Sequence, residues 1–319
     1  MKKPTEWRPR ASNGVLQARA RFYLAIRSYF GRAGVLEVET PILSAAATVD
    51  PHIDSFATRE NLWLQTSPEF AMKRLLAAGS GPVYQIARVF RREEAGRHHN
   101  PEFSLLEWYR PGWDHLRLMQ ELEDLLRGCG VPGQAPWSRI SYRDAFLRHA
   151  GLDPFECGLE QLRQACAGQL NLDGGLRQES DRDLYLDLLM SSRVGPRLGC
   201  DGPEFLYDFP ASQAALARVR PGDPPLAERF ELFWQGVELA NGFHELTDAV
   251  EQRQRFERDR ARRAAEGREA PPYDDRLIAA LEAGLPRCAG VALGLDRVLM
   301  LMLGLPSVAE TLCFDAERA

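Results

Sequence analysis

Three features that would assign this chain to a specialised class of protein are missing from its sequence. The six cysteines, at positions 129, 157, 166, 200, 288 and 313, include no CxxC pair and no histidine partners at metal-ligand spacing. We therefore expect reduced, buried thiols. No run of about 18 apolar residues occurs, and the first ten residues lack the apolar core of a signal peptide. These absences predict a cytoplasmic protein that does not enter a membrane.

The chain also lacks an excess of basic charge. Its formal net charge is −5 at pH 7, so no broad positive field is available to hold tRNA or DNA by counterion release. Of its 319 residues, 45% are hydrophobic and 27% are charged, which is typical of a globular protein. Without repeats or low-complexity segments, residues 1–319 are predicted to form a single α+β domain around an antiparallel sheet flanked by helices.

The densest group of chemically active side chains lies in residues 90–109, FRREEAGRHHNPEFSLLEWY. Arg91 and Arg92 follow the apolar, β-prone residues 83–89. Their guanidinium groups should therefore lie at the end of a strand, where they can bind phosphate oxygens. We expect this strand to pair with residues 103–106 across a polar loop.

Three further side chains of the same hairpin suit an adenine base. Glu93 and Asn100 can form hydrogen bonds to the base, and Phe103 can stack on its ring. The pattern predicts a nucleotide site, and the alternative is a charged loop solvated beside an ordinary sheet.

Other segments have clear periodicity. Apolar residues at helical spacing over 15–30 predict an amphipathic helix, which Gly31 and Gly34 should end. Residues 35–41, VLEVETP, alternate as a strand that stops at Pro41. Further predictions are a helix capped by Ser67 with Pro68 at its first position, strands in 204–209 and 229–246, and helices in 114–127, 142–150, 159–167, 182–191, 248–266 and 276–282.

Three segments taken together resemble the signature motifs of class II aminoacyl-tRNA synthetases. They are GVLEVETP, FRREEAGRHHNPEF and GVALGLDR, in this chain order. The last places Arg297 in the first turn of a helix, where backbone amides favour anions. With LQTSPEFAMKRLL and ELANGFHELTDA, the chain is similar to the catalytic core of lysyl-tRNA synthetase over nearly its whole length. The resemblance implies the class II catalytic fold and a homodimer built on the first motif.

The resemblance also implies roles for individual residues in ATP and Mg²⁺ binding. Arg91 would contact the α-phosphate and Arg297 the γ-phosphate, and these two are the expected catalytic residues. Glu238 would bind Mg²⁺ on the phosphates, with Glu245 as a second candidate ligand. The expected nucleotide site comprises Arg91, Arg92, Glu93, Asn100, Phe103, Glu238, Leu239, Gly294 and Arg297. Since Glu238 and Glu245 are seven residues apart, they share a strand face only if the backbone bends, and Gly242 offers that bend.

An acidic pocket for a diamino acid follows from the same resemblance. A buried ammonium group needs carboxylates or hydroxyls. Ser67 and Glu69 would meet the amine near the reacting carboxylate, while Tyr109 and Glu245 would meet the distal amine. The expected amino acid site comprises Ser67, Pro68, Glu69, Glu107, Tyr109, Asn241, Glu245 and Ala292.

The sequence departs from the lysyl-tRNA synthetase pattern in three places. No OB-fold segment for anticodon binding precedes the first motif's helix. Ala292 replaces a glycine, and one methyl group at a pocket wall can change selectivity by about 1–3 kcal/mol. RHHN replaces RHN, so Arg97 lies one residue farther from the following PEF and its role is not transferred.

The shortened form is similar to synthetase paralogues that activate (R)-β-lysine with ATP and attach it to a lysine of elongation factor P. We thus expect a preference for β-lysine over L-lysine, elongation factor P as partner, and no tRNA. The alternatives are a truncated lysyl-tRNA synthetase-like enzyme that charges tRNA or a small acceptor, and a non-catalytic regulatory paralogue.

Overall fold

A nine-stranded sheet forms the centre of the computed structural model, which describes residues 7–92, 95–167 and 180–319. In chain order the strands are β1 Leu36–Glu37, β2 Leu43–Ser44, β3 Trp63–Leu64, β4 Val83–Phe90, β5 Glu102–Pro111, β6 Ser138–Ser141, β7 Glu204–Pro210, β8 Val219–Arg220, β9 Leu226–Trp234, β10 Val237–His244 and β11 Cys288–Gly294. The main path runs β1-β4-β5-β11-β10-β9-β7-β6, with β8 on β9, while β2 and β3 pair separately. Only the β1–β4 and β6–β7 pairs are parallel, so the predicted antiparallel α+β fold is confirmed.

Nine α-helices flank this sheet within the described residues. They are α1 Asn13–Arg32, α2 Glu69–Ala77, α3 His115–Gly128, α4 Tyr142–His149, α5 Leu159–Ala167, α6 Arg182–Leu189, α7 Ala249–Ala265, α8 Asp275–Gly284 and α9 Leu295–Met302. Among the residues described, none of these helices combines the length and the apolar character that a membrane span requires.

Helix α1 forms where the apolar spacing predicted it. The Ser12 side chain accepts a hydrogen bond from the amide of Val15 and caps the helix. Phe22, Ile26 and Phe30 are four residues apart and buried, so they lie on one face. Phe30 stacks on Tyr84 of β4, which ties this helix to the sheet. The chain leaves the helix through Gly34, whose φ of +66° favours glycine.

The middle of the chain packs on the β6 end of the sheet. Tyr142, Phe146, Leu162, Tyr185 and Phe209 belong to a hydrophobic cluster separate from that around α1 and α3. Helices α4, α5 and α6 cover β6, β7 and β9 through this cluster. The middle region therefore builds one wall of the molecule.

Several local predictions were wrong. The strand expected over residues 35–41 is paired only at Leu36–Glu37, because β1 is an edge strand beside β4. Helix α2 begins at Glu69, one residue late, with Pro68 at its cap position. All six cysteines are free, as expected, but Cys200 and Cys313 are exposed.

The bend in β10 is not at Gly242. The register shifts between Glu238 and Ala240, which marks a bulge, whereas Gly242 pairs regularly with Phe230 and Val291. A Cβ at Gly242 would lie 2.4 Å from the Phe230 ring. This glycine therefore allows the close approach of a side chain from β9.

Candidate active site

One face of the sheet carries two rows of side chains that extend across neighbouring strands. Because directly opposed residues share a face, the register places Glu231, Asn241, Ala292, Glu107 and Gln85 in one row. The second row is Arg229, Phe243, Gly290, Tyr109 and Val83. These rows combine carboxylates with small residues, which leaves space above the sheet for ligands.

A cavity of about 1940 Å³ lies over this face. It exceeds the range of about 300–1,000 Å³ typical of a single small-molecule site, so it can admit more than one substrate. Its walls include most of the predicted nucleotide and amino acid residues: Ser67, Pro68, Glu69, Arg91, Asn100, Phe103, Glu238, Leu239, Asn241, Ala292, Gly294 and Arg297.

Two arginines from distant parts of the sequence line this cavity. Arg91 follows β4, and its guanidinium carbon lies 5.2 Å from the centroid of the Phe103 ring. Arg297 lies in the first turn of α9, where Nε donates to the backbone oxygen of His98 (3.0 Å) and Nη1 to that of Glu238 (2.9 Å). Each guanidinium is partly buried and positioned by the surrounding structure. Such preorganised cations suit a polyphosphate.

The rest of the predicted adenine site is only partly brought together. Phe103 lines the cavity, but the amide of Asn100 is used by the protein: Nδ2 donates to the backbone oxygen of Glu102 (2.6 Å), and Oδ1 accepts from the amide of Ala316 (3.1 Å). Asn100 therefore secures the C-terminal segment against the hairpin, while it also lines the cavity; its contact with adenine stays a prediction.

The structure also corrects the placement of Arg92. The backbone of this exposed residue forms an isolated antiparallel β-bridge with that of Asp54. Arg92 also borders a separate small pocket beside Arg268. Alternation along the chain turns it away from Arg91. Glu93 lies outside the described residues. Arg97, which follows the loop, donates from Nε to the backbone oxygen of Pro306 (2.9 Å) and is exposed.

A buried carboxylate that the sequence interpretation missed lies beside Glu238. Glu231 on β9 lines the cavity with Glu238 and accepts a hydrogen bond from Arg229 Nη2 at 2.5 Å. Burial raises the pKa of Glu231 to about 7, and the charge of Glu238 contributes in the same direction. A charged residue in the otherwise apolar stretch FELFW was the available signal. Two carboxylates that repel each other in one cavity are suited to a divalent cation.

The carboxylates predicted for amine recognition form a second cluster. Glu107 accepts hydrogen bonds from the hydroxyls of Ser67 (2.6 Å, to Oε2) and Tyr109 (2.7 Å, to Oε1). Glu69 and Glu245 are joined by Lys73, whose Nζ lies 2.6 Å from Glu69 Oε1 and 2.6 Å from Glu245 Oε2. We call Ser67, Glu69, Lys73, Glu107, Tyr109 and Glu245 the ammonium cluster.

The ammonium cluster is only partly open to the cavity. Glu107, Tyr109 and Glu245 are each only 2% exposed, whereas Ser67 and Glu69 line the cavity. The latter two therefore form the wall between the cavity and the buried carboxylates. Glu245 Oε1 has no hydrogen-bond donor anywhere in the described chain, and such an orphaned buried oxygen marks a place for a ligand donor.

Burial controls the protonation of these carboxylates. It raises the pKa of Glu107 to about 7, with a contribution from Glu69, while the hydroxyls of Ser67 and Tyr109 oppose the shift. It raises the pKa of Glu245 to about 8, although Lys73 opposes the shift. Near neutral pH such a carboxyl group still carries its proton in part. It binds an ammonium group strongly only as the carboxylate, and the arriving cation favours loss of that proton.

Glu245 was also expected to be a metal ligand. The structure instead gives it the ammonium group of Lys73 as a partner, and the carboxylate that acts on Glu231 is Glu238. Glu245 belongs to the ammonium cluster, so Glu231 takes its place as the candidate metal ligand beside Glu238.

Two small residues of β11 shape the floor of the site. A Cβ at Gly290 would lie 2.2 Å from Tyr109 Cε1 and 2.6 Å from Glu245 Oε1, so no side chain fits there. Ala292 stands opposite Glu107 and Asn241 on the two neighbouring strands. Its methyl group therefore lies on the floor of the cavity between Glu107 and Asn241. Asn241 accepts from Arg229 Nε at 3.2 Å.

A third polar cluster contains His115, Glu228 and His244, whose possible ligand atoms lie within 4.8 Å of one another. Both ring nitrogens of His244 are bonded, Nδ1 to Glu228 (2.5 Å) and Nε2 to Arg287 Nε (3.0 Å). Arg220 adds positive charge 3.8 Å from Glu228. These cations neutralise the carboxylate, and we assign the cluster no metal.

Comparison with known proteins agrees with this arrangement. A family model described as tRNA synthetases class II (D, K and N) matches residues 3–318. The chain is 51% identical, over 328 aligned positions covering all of both chains, to proteins named elongation factor P–(R)-β-lysine ligase from Klebsiella pneumoniae (strain 342) and from Salmonella typhi. A protein of the same name from Salmonella dublin is equally similar.

Proposed function

The chain belongs to the class II tRNA synthetases of the D, K and N group, and from this membership we propose that it activates (R)-β-lysine with ATP and transfers it to a lysine side chain of elongation factor P in the cytoplasm. It is a ligase, like the proteins of that name with which it shares 51% of its residues. The observation that carries the proposal is one cavity that is lined by the guanidinium groups of Arg91 and Arg297 and has the ammonium cluster at its wall.

The first step requires the amino acid carboxylate to attack the α-phosphate of ATP while pyrophosphate leaves. The chain's contribution is to align the two reactants and to stabilise negative charge. Arg91 stands on the hairpin beside Phe103, which can stack on adenine, and is assigned to the α-phosphate. Arg297 is assigned to the γ-phosphate, since the helix dipole of α9 adds to its charge.

A divalent metal fits the carboxylates beside these arginines. Glu231 and Glu238 line the cavity together, and burial, followed by the charge of Glu238, raises the pKa of Glu231 to about 7. Mg²⁺ prefers such oxygen ligands and usually shares them with substrate phosphates. We assign both residues to Mg²⁺, which would neutralise phosphate charge when bound.

The enzyme selects its amino acid substrate by charge. (R)-β-Lysine carries two ammonium groups, and Ser67 and Glu69 at the cavity wall lead to Glu107, Tyr109 and Glu245. Each ammonium group can replace a carboxyl proton and bind the resulting carboxylate. The free Oε1 of Glu245 is the proposed acceptor for the distal ammonium group, and Ala292 sets the distance between the two ends.

Mass spectrometry of elongation factor P tests the assignment. Incubation with the enzyme, ATP, Mg²⁺ and (R)-β-lysine should add the mass of one β-lysyl group to one lysine. A parallel incubation with bulk tRNA in place of the protein acceptor should give no aminoacylated product. An active enzyme, established by pyrophosphate exchange, that leaves elongation factor P unmodified would reject the acceptor.

We further propose a homodimer built on the first motif. Four apolar side chains of this region are exposed: Leu24 (66%), Leu36 (57%), Ile42 (45%) and Leu43 (44%). Such a group is suited to a partner surface. Light scattering should give twice the mass of one chain, and a monomer would contradict the proposal.

A further inference from the structure

Lysine is almost absent from this protein. The sequence contains 37 arginines but only three lysines, at positions 2, 3 and 73. Lys73 is the only one among the described residues, and it is 2% exposed. A chain that uses arginine almost everywhere therefore has a compact ammonium group at its most buried cationic position.

The surroundings of Lys73 explain why a compact cation is suited to this position. Its ammonium group lies 2.6 Å from carboxylate oxygens on two different elements, Glu69 of α2 and Glu245 after β10. An arginine is planar and larger, and its donors are arranged for two oxygens in one plane. The fully buried site offers no such space, since Gly290 already lacks room for a methyl group beside Glu245.

The number of charges in the ammonium cluster is informative. Glu69, Glu107 and Glu245 contribute three carboxylates, and Lys73 contributes one ammonium group, so the fully ionised cluster has a net charge of −2. A diamino acid brings two ammonium groups. Without Lys73, the buried carboxyl groups of Glu107 and Glu245 would retain additional protons and bind a cation less well.

We propose that Lys73 is a specificity-determining positioning residue, an internal counterion that holds the carboxyl groups of Glu69 and Glu245 in place and offsets one of their charges, so that the ammonium cluster matches a substrate with two ammonium groups. The inference rests on the proposed function, because it takes a diamino acid as the substrate. Lys73 acts through the two glutamates and is not assigned a contact with the substrate.

The protonation of Lys73 agrees with this role. Burial alone would lower its pKa, but Glu245 and Glu69 outweigh burial and raise the pKa above its ordinary value. Its amine is therefore held as a cation and does not compete as a nucleophile for an activated acyl group. The titratable groups that interact with it are Glu69 from α2, Glu107 from β5, Glu245 after β10 and Cys288 from β11.

Pyrophosphate exchange in Lys73→Met tests the proposal. Lys73→Met removes the charge and keeps the stem. At neutral pH it should raise KM for (R)-β-lysine at least about tenfold, since each unit of increase in a carboxyl pKa reduces the ionised fraction about tenfold. KM for ATP should change little. The increase in kcat/KM with pH should move to higher pH in Lys73→Met, because the positive charge that opposes protonation of Glu245 is gone.

A folded Lys73→Met variant with the wild-type KM and pH profile would overturn the proposal. An absence of diamino acid-dependent exchange in the wild-type enzyme would instead reject the proposed function.

A measurement on the wild-type protein avoids variants that fail to fold. With only three lysines, labelling with ¹⁵N and ¹³C at the lysine ammonium group gives few NMR signals, and Lys73 is identified as the one shielded from solvent. Its signal should remain that of an ammonium ion well above pH 10.5, the ordinary lysine pKa, and should shift on addition of (R)-β-lysine. Titration with an ordinary pKa, or no response to the diamino acid at saturation, would count against the role.

Discussion

Replacing Gly290 with alanine is the sharpest structural perturbation of the amino acid site. The added methyl group would lie 2.2 and 2.4 Å from two ring carbons of Tyr109 and 2.6 Å from Glu245 Oε1. Both neighbours are fully buried, so neither can move into solvent. The ring of Tyr109, the carboxylate of Glu245 or the strand itself must shift.

Two effects determine the size of the change. Overpacking a buried site costs about 1–3 kcal/mol of folding free energy, which thermal unfolding would detect. Displacing Tyr109 or Glu245 also weakens a hydrogen bond to a charged ammonium group, worth about 1.5–3 kcal/mol. At 1.4 kcal/mol per factor of ten, KM for the diamino acid should rise about 10- to 150-fold.

Pyrophosphate exchange at varied (R)-β-lysine and varied ATP separates the two ends of the cavity. Gly290→Ala should raise KM for (R)-β-lysine and leave KM for ATP within about twofold, because Arg91 and Arg297 are held by other contacts. Gly128→Ala is the matched control: at the end of α3 its Cβ would have no atom within 4 Å, and both constants should remain unchanged.

An unchanged KM for the diamino acid in folded Gly290→Ala would show that Tyr109 and Glu245 do not bind the substrate. An equal rise in both constants would also refute the reasoning, because it would indicate general distortion of the sheet.

Three further predictions concern the same site. Arg297→Ala should lower kcat of pyrophosphate exchange about 10²- to 10³-fold, while a thermal melt within a few degrees of wild type is the control; loss of the fold, or full activity, would contradict a role at phosphate. Ala292→Gly should raise the kcat/KM ratio of L-lysine to (R)-β-lysine by at most about 200-fold, and an unchanged ratio would remove Ala292 from the selectivity determinants. The kcat/KM for (R)-β-lysine should increase from about pH 6 to about pH 8, because Glu107 and Glu245, with pKa values of about 7 and about 8, are protonated below that range and bind ammonium only after losing the proton. A flat profile there would contradict these values.

Local patterns in the sequence were sufficient for several of the regular elements. Helix α1 follows from apolar side chains four residues apart and a serine cap, and β4 and β5 follow from apolar runs on either side of a polar loop. Helix α5 has the predicted bounds, Leu159–Ala167. These features depend on neighbours in the chain, so periodicity is enough to find them.

Contacts between distant residues were beyond such patterns. Asn100 has the residue type for adenine recognition, and only the fold shows that its oxygen also accepts a hydrogen bond from the amide of Ala316, 216 residues away. Glu231 resembles an isolated charge in an apolar strand until the register places it in the row of Asn241 and Ala292. In the sequence, Lys73 is one charged residue of an amphipathic helix. Only the packing of α2 against the end of β10 brings its ammonium group to Glu245.

The sequence by itself determined the family and the α+β class, and it supplied the two arginines proposed for phosphate and the acidic residues proposed for a diamino acid, because residue type and order along the chain carry that information. Only the tertiary structure decided how the charges are grouped. Packing put Glu231 beside Glu238 and buried Lys73 between Glu69 and Glu245. Electrostatic pairing depends on distance and on exclusion of water, and both arise only when separate strands and helices meet.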